Sequence, residues 1–63
     1  MESLIQILVR RDGYTELEAK EEIAACRKAM LAVIEDGDFI YAEEIFEDWF
    51  RLEPDYMDEV LFG

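Results

Sequence analysis

The sequence has no histidine and a single cysteine, Cys26, and these two scarcities exclude several kinds of site. A structural zinc site takes four ligands from cysteine and histidine, so the ligand inventory rules it out. A disulfide framework needs at least two cysteines, so packing has to hold the fold together. A lone thiol is typical of a protein in a reducing compartment.

Basic residues and long apolar runs are also scarce. Only 6 Lys and Arg accompany 17 Asp and Glu, which gives a net charge of −11. The most apolar segment, residues 4–9, is far shorter than the roughly 18 to 20 residues of a membrane span, and no basic segment of a signal peptide precedes it. We therefore expect a cytoplasmic protein with no membrane contact. An acidic surface also repels phosphates, so we expect no direct binding of nucleic acid.

The negative charge is concentrated in residues 35–59. This segment holds eleven acids and one base, Arg51, whereas residues 1–34 hold six acids and five bases. The segment is not a disordered tail, because seven of the eight aromatic residues follow residue 38, and apolar residues make up 52% of the chain. A folded and strongly negative surface is therefore the main clue to a partner.

Helical periodicity and capping signals run through the whole chain. Thr15 and Glu18 form the pattern of a capping box, Gly37 marks the end of the helix that follows, and Pro54 suits the first turn of another. Further candidate N-caps are Ser3 and Asp38, and Asp12-Gly13 is a candidate helix end. We predict one all-α domain over residues 1–63, a compact bundle of three or four short helices: 4–11, about 16–35, about 39–51 and about 54–62.

Apolar residues predict which helix faces are buried. On the second helix they are Leu17, Ile23, Cys26, Met30, Val33 and Ile34. On the third helix Tyr41, Ile45, Trp49 and Leu52 form one stripe, which Phe46 and Phe50 widen. We expect Trp49 to be largely buried, in the core or at a dimer interface. Core packing explains the stripe, and the alternative is a self-association surface formed by Phe46, Trp49 and Phe50.

The acids of the third and fourth helices are the candidate binding residues. Glu43 and Glu47 are four residues apart, as are Glu44 and Asp48, so each pair shares a helix face at a spacing of about 6 Å, close to that of neighbouring phosphates. Such like-charged pairs weaken a helix, which suggests that their negative electrostatic field serves a function. The predicted partner-binding residues are Glu43, Glu44, Glu47, Asp48, Asp55, Asp58 and Glu59. The alternative is an acidic surface that only keeps the protein soluble.

Residues 42–61 resemble a helix-turn-helix of the repressor type. Ala42 and Ile45 match its first helix, and Leu52 matches the apolar position of its turn. Arg51 stands where that motif usually has glycine, and the exposed positions of the second helix are acidic: Asp55, Asp58 and Glu59. A recognition helix of that kind would repel the DNA backbone, so the resemblance implies at most a degenerate helix-turn-helix regulator.

A second resemblance is one of general character. Small acidic proteins that mimic DNA and inhibit nucleic-acid-binding enzymes, including phage inhibitors of restriction and CRISPR systems, share this charge profile. The stretch EEIFEDWFRLEPDYMDEVL, together with the DG, EA and GD pairs that precede it, also resembles small acidic proteins encoded by phages and mobile elements of bacteria. The first likeness implies an inhibitor of the phage anti-defence type in a bacterial host cell, and the second implies a phage or prophage origin but no particular activity.

Metal and catalytic sites find little support in the sequence. Asp36, Asp38 and Glu47 match three positions of a calcium loop, but Ile40 and Tyr41 then occupy a ligand position and the glycine position. Cys26 has no histidine to activate it, and among 17 acids any pair of carboxylates is expected by chance. We therefore expect no enzyme, no metal and no cofactor.

The sequence thus favours a non-enzymatic module that binds another protein through its acidic face. The expected partner has a basic surface, and the sharpest version is a DNA-mimic inhibitor of a nucleic-acid-binding protein. A small homodimeric structural or regulatory module with a solubilising acidic surface is the alternative.

Overall fold

The computed structural model describes residues 2–62, and within that range it contains four α-helices and no strand. The all-α prediction is confirmed. The helices are α1 (Leu4–Asp12), α2 (Glu16–Glu35), α3 (Phe39–Phe50) and α4 (Met57–Phe62), with a 3₁₀ turn (Pro54–Tyr56) directly before α4. The long helix α2 is the centre of the bundle, because α1, α3 and α4 all pack against it.

The predicted caps of the first three helices are confirmed. Thr15 and Glu18 form a reciprocal capping box: the Thr15 amide donates to Glu18 Oε1 at 2.9 Å, and the Glu18 amide donates to Thr15 Oγ1 at 3.1 Å. Ser3 caps α1 and forms a second capping box with Gln6, and the Asp38 carboxylate accepts from the Tyr41 amide at 3.0 Å. Each cap satisfies a backbone donor that a helix start leaves free, so these helix starts could be read from local sequence.

The predicted ends of α3 and α4 need small corrections. α3 ends at Phe50, one residue early, because Arg51 has left-handed backbone angles (φ 55°, ψ 46°) and its amide donates to the Glu47 carbonyl at 2.7 Å. The predicted fourth helix is split, because residues 54–56 form a 3₁₀ turn that precedes six α-helical residues. Arg51 thus adopts the conformation for which a helix-turn-helix normally uses glycine.

The core is apolar and lies between α2 and the other three helices. Among the described residues, no polar or charged residue is buried. The core cluster consists of Leu4, Leu8, Ala19, Cys26, Met30, Ala42, Phe46, Phe50, Met57, Val60 and Leu61. Cys26 and Met30 confirm the predicted inner face of α2, and Ile23, Val33 and Ile34 pack partly buried beside them. The prediction for Leu17 is wrong, since this side chain is 66% exposed.

The buried face of α3 is not the one that the sequence suggested. Ala42, Phe46 and Phe50 face the core, and the two phenylalanine rings meet edge to face with centroids 5.4 Å apart. Trp49, in contrast, is 40% exposed, and Tyr41 is 50% exposed. The buried stripe is therefore displaced around the helix by about one residue, or about 100°, from the predicted stripe. This corrects the expectation that Trp49 lies in the core of the monomer.

Candidate acidic binding surface

The rotation of α3 determines which of its acids face outward. Because Ala42, Phe46 and Phe50 point to the core, Glu44 and Asp48 lie on the opposite side, and both are exposed. Glu47 is also exposed, whereas Glu43 lies nearer the core and is half-buried. The Glu44/Asp48 row is therefore the more accessible of the two predicted pairs.

The acids of residues 35–59 have no cationic partners within residues 2–62. Within residues 2–62 the ion pairs are Arg10–Glu2 at 2.7 Å, Arg11–Asp12 at 2.9 Å and Lys20–Glu16 at 3.5 Å. All of these lie in the near-neutral part of the chain, where Arg10 and Arg11 lower the pKa of Glu2 and Asp12 by hydrogen bonding. The charge of the third and fourth helices therefore remains uncompensated within the described part of the chain.

The three predicted acids of the fourth helix do not share one role. Asp55 and Asp58 are exposed and extend the acidic surface beyond α3. The Glu59 carboxylate instead accepts a hydrogen bond from the backbone amide of Leu4, in the first turn of α1. An acid at a helix N-terminus satisfies a free amide and interacts favourably with the helix dipole, so Glu59 joins α4 to α1. Glu59 is nevertheless exposed, so its place among the partner-binding residues stays a prediction.

A basic residue of α1, Arg11, is hydrogen-bonded to the C-terminal end of α3. Nη2 of Arg11 donates to the backbone carbonyl of Phe50 at 2.6 Å, where α3 ends and its last carbonyls lack helical partners. The same guanidinium forms two hydrogen bonds with Asp12. No local sequence signal announces this contact, since 39 residues separate Arg11 from Phe50. It fixes α3, and hence the Glu44/Asp48 row, relative to α1.

Exposed aromatic surface adjoins the acids. Trp49 and Tyr41 line a depression of about 400 Å³ together with Ala29, Ile45 and Asp48. We call this the tryptophan depression. Of the three predicted self-association residues only Trp49 reaches the surface, because Phe46 and Phe50 are 0% and 3% exposed. The prediction that Phe46 and Phe50 belong to a surface is therefore wrong for the folded chain, since the core needs both rings.

The helix-turn-helix resemblance extends to the backbone only in part. α3, the left-handed Arg51 and the half-buried Leu52 follow the motif. The second helix, however, has only six α-helical residues, and its acid Glu59 is bonded to α1. The exposed acids Asp55 and Asp58 remain where the motif would face DNA, and their charge opposes such contact.

Cys26 belongs to the core. Its Sγ lies 3.6 Å from Sδ of Met30, and the residue is fully buried. Burial raises the pKa of the Cys26 thiol to about 11, and the charge of Glu22 adds to the effect. The thiol is therefore protonated at neutral pH, and Cys26 acts as a small apolar side chain.

Residues 2–62 hold neither a candidate metal site nor a candidate membrane span. No three side chains of the types that bind metals are grouped to share an ion. In the same residues, no helix has the length and apolarity that crossing a membrane requires.

Comparison of the chain with protein-family models, curated proteins and solved structures finds no match.

Proposed function

We propose that this protein binds a basic protein surface through the outward acids of α3 and α4, and that this basic surface otherwise holds nucleic acid. The observation that carries the proposal is the absence of any ion pair from the acids of residues 35–59 within the described chain, while three ion pairs form among residues 2–20. An uncompensated field costs folding stability through self-repulsion, and it speeds association with a basic partner.

The geometry of α3 supports mimicry of a nucleic acid. Four residues of helix rise by about 6 Å, so Glu44 and Asp48 present charges in a row at a spacing near that of successive phosphates. Asp55 and Asp58 continue the negative surface past the end of α3. The protein acts in this proposal as a non-enzymatic inhibitor of the phage anti-defence type, inside a bacterial cell, and needs no cofactor.

A capture experiment from bacterial lysate tests the proposal. The immobilised protein should retain basic, nucleic-acid-binding proteins at low ionic strength and release them at high ionic strength, because salt screens exposed charges. Added duplex DNA should release them as well, since it competes for the same basic groove. A partner retained at high salt would contradict the proposal, and one indifferent to DNA would remove the mimicry from it.

Matched variants assign the binding to α3. Glu44→Gln with Asp48→Asn removes two exposed charges from the acidic surface, and Glu16→Gln with Glu22→Gln removes two charges from α2, of which Glu16 is exposed and Glu22 half-buried. Only the first pair should lose the partner, while both keep the helical circular dichroism signal. If the Glu44→Gln/Asp48→Asn variant binds the partner normally and Trp49→Ala does not, the acids only provide solubility, and the tryptophan depression is the true interface.

A further inference from the structure

The outward face of α2 carries an apolar row that no part of the described chain covers. Leu17, Ala24 and Leu31 are seven residues apart, close to two helical turns, so they lie in one line on the side away from Cys26 and Met30. We call them the leucine row. Leu17 is 66% and Leu31 39% exposed, and Ala24 is exposed between them.

The leucine row continues into a groove. Ala24 and Leu31 form part of one wall of a groove of about 670 Å³, whose other wall is the first turn of α1 and part of α4. Apolar side chains dominate its lining, with Ile5, Ile23 and Val60 among them. The exposed leucines are thus part of a continuous apolar surface, which is typical of an interaction site.

The charge near the leucine row is close to neutral, with four acids and three bases, unlike that of α3. From residue 16 to residue 34 the acids are Glu16, Glu18, Glu21 and Glu22, and the bases are Lys20, Arg27 and Lys28. Two copies of a chain with a net charge of −11 repel each other at most orientations. Contact through α2 keeps the acids of α3 away from the interface, and the acid of α4 that lines the groove, Glu59, is hydrogen-bonded to the Leu4 amide, so this arrangement lowers that repulsion.

The order of residues along α2 is self-complementary about Ala24. Leu17 lies seven residues before it and Leu31 seven residues after it, so in an antiparallel pair each leucine row meets its copy leucine to leucine. Glu21 lies about 4.5 Å before Ala24 along the axis and Lys28 about 6 Å after it, which brings opposite charges of the two copies to nearly the same level. The small Ala24 at the centre lets the helices approach closely.

We propose that two copies of this chain form a symmetric dimer in which their α2 helices pack antiparallel, with the two-fold axis near Ala24. A two-fold interface uses the same patch on both copies, which is the property that the leucine row and the Glu21/Lys28 pair possess. The tryptophan depression is a poorer choice for a second copy, because Asp48 lines it and would meet its own copy.

Sedimentation equilibrium of the full chain at low and high ionic strength is the first measurement. We expect a dimer whose affinity increases with salt, because salt screens the repulsion between two chains of charge −11. Binding of a basic partner to α3 should respond to salt in the opposite direction, so the two proposals fail separately. A monomer at hundreds of micromolar in both buffers overturns the dimer.

Two sets of variants test the interface itself. Leu17→Gln with Leu31→Gln should abolish the dimer, whereas Ile40→Gln with Phe62→Gln, at two other exposed apolar residues, should leave it unchanged. Glu21→Lys alone and Lys28→Glu alone should each weaken the dimer by roughly 3- to 10-fold, and the double exchange should restore it. A dimer indifferent to the leucine pair, or a double exchange weaker than both single changes, overturns the proposed register.

Cysteine cross-linking tests the antiparallel direction. Ala24→Cys places two thiols close to the two-fold axis, within the Cα separation of about 4.4 to 6.8 Å that a disulfide needs. It should form a covalent dimer under mild oxidation by glutathione disulfide. Leu31→Cys is the control, because its two copies would lie about 21 Å apart along antiparallel helices but face each other in parallel ones. Cross-linking of Leu31→Cys, or failure of cross-linking with Ala24→Cys, overturns the arrangement; the buried Cys26 can stay in place.

Discussion

The outward faces of α2 and α3 differ in charge, although the two helices share one core. α3 presents Glu44, Glu47 and Asp48 without ion pairs in the described chain, and α2 presents leucines between charges of both signs. The same change of ionic strength should therefore weaken binding at the face of α3 and strengthen binding at the face of α2. The two proposals thus assign this small domain two surfaces whose binding should respond to salt in opposite directions.

The core residues that support the two surfaces are distinct from the surface residues. Phe46 is fully buried between α2 and α3, whereas Trp49, three residues further on, is 40% exposed. One helix thus supplies core and surface from adjacent rows. A substitution in the core should remove both outward faces at once, and a substitution at the surface should change only one.

Phe46→Ala should have the largest effect. Truncation of a buried phenylalanine costs about 3–5 kcal/mol, a large share of the stability of a domain this small, so both faces should be lost together. Trp49→Ala should lower the free energy of unfolding by only about 1–2 kcal/mol, because part of the ring is already in water. Urea unfolding followed by circular dichroism measures both changes. A larger loss for Trp49→Ala would show that the α3 face is assigned wrongly.

Local signals account for what the sequence could predict. The Thr15/Glu18 box, Asp38 and Gly13 act within four residues, so the starts of α2 and α3 and the end of α1, to within one residue, could be predicted. The buried face of α3 was not, because Tyr41/Ile45/Trp49 and Ala42/Phe46/Phe50 both have helical spacing. The structure chooses the second row, which places the small Ala42, fully buried, against the core.

Long-range contacts lay beyond any local signal. Glu59 bonds to the amide of Leu4 across 55 residues, and Arg11 bonds to the carbonyl of Phe50 across 39. In the sequence Glu59 was one acid among many, so its structural role could not be separated from the acidic surface. Most of the candidate site was predictable because charged side chains of α3 stay exposed unless they find a partner.

Thr15→Ala should have the next largest effect on the free energy of unfolding, by weakening the start of α2. Loss of the N-cap hydroxyl leaves the Glu18 amide without its acceptor and costs about 1 kcal/mol. Asp38→Ala removes the corresponding acceptor at the start of α3 and should cost a similar amount. The matched controls Thr15→Ser and Asp38→Asn keep an acceptor oxygen and should unfold near the wild-type urea midpoint. Equal losses for Thr15→Ala and Thr15→Ser would mean that the hydroxyl is not what stabilises α2.

Ionic quenching of Trp49 should give a smaller effect that reports on the acidic surface directly. Asp48 lines the same depression as Trp49, so a negative field surrounds the exposed part of the ring. Caesium should quench the fluorescence more strongly than iodide at low ionic strength, by roughly two-fold after correction against free tryptophan. Glu44→Gln with Asp48→Asn should reduce that ratio, and Glu16→Gln with Glu22→Gln should not. Equal quenching by the two ions would mean that the field at α3 is weak.

Duplex DNA should have no measurable effect on either face. Asp55 and Asp58 stand at the outward positions of the second helix of the helix-turn-helix resemblance, and each would meet phosphates with like charge. The bases Lys20, Arg27 and Lys28 border the groove beside α2, but with a net charge of −11 the chain as a whole repels a polyanion. A gel-shift titration at physiological salt should therefore show free DNA at every protein concentration up to tens of micromolar. A specific shift at micromolar protein would show that α3 and α4 form a DNA-binding unit. It would also remove the basis for mimicry, because a surface that binds DNA cannot also imitate it.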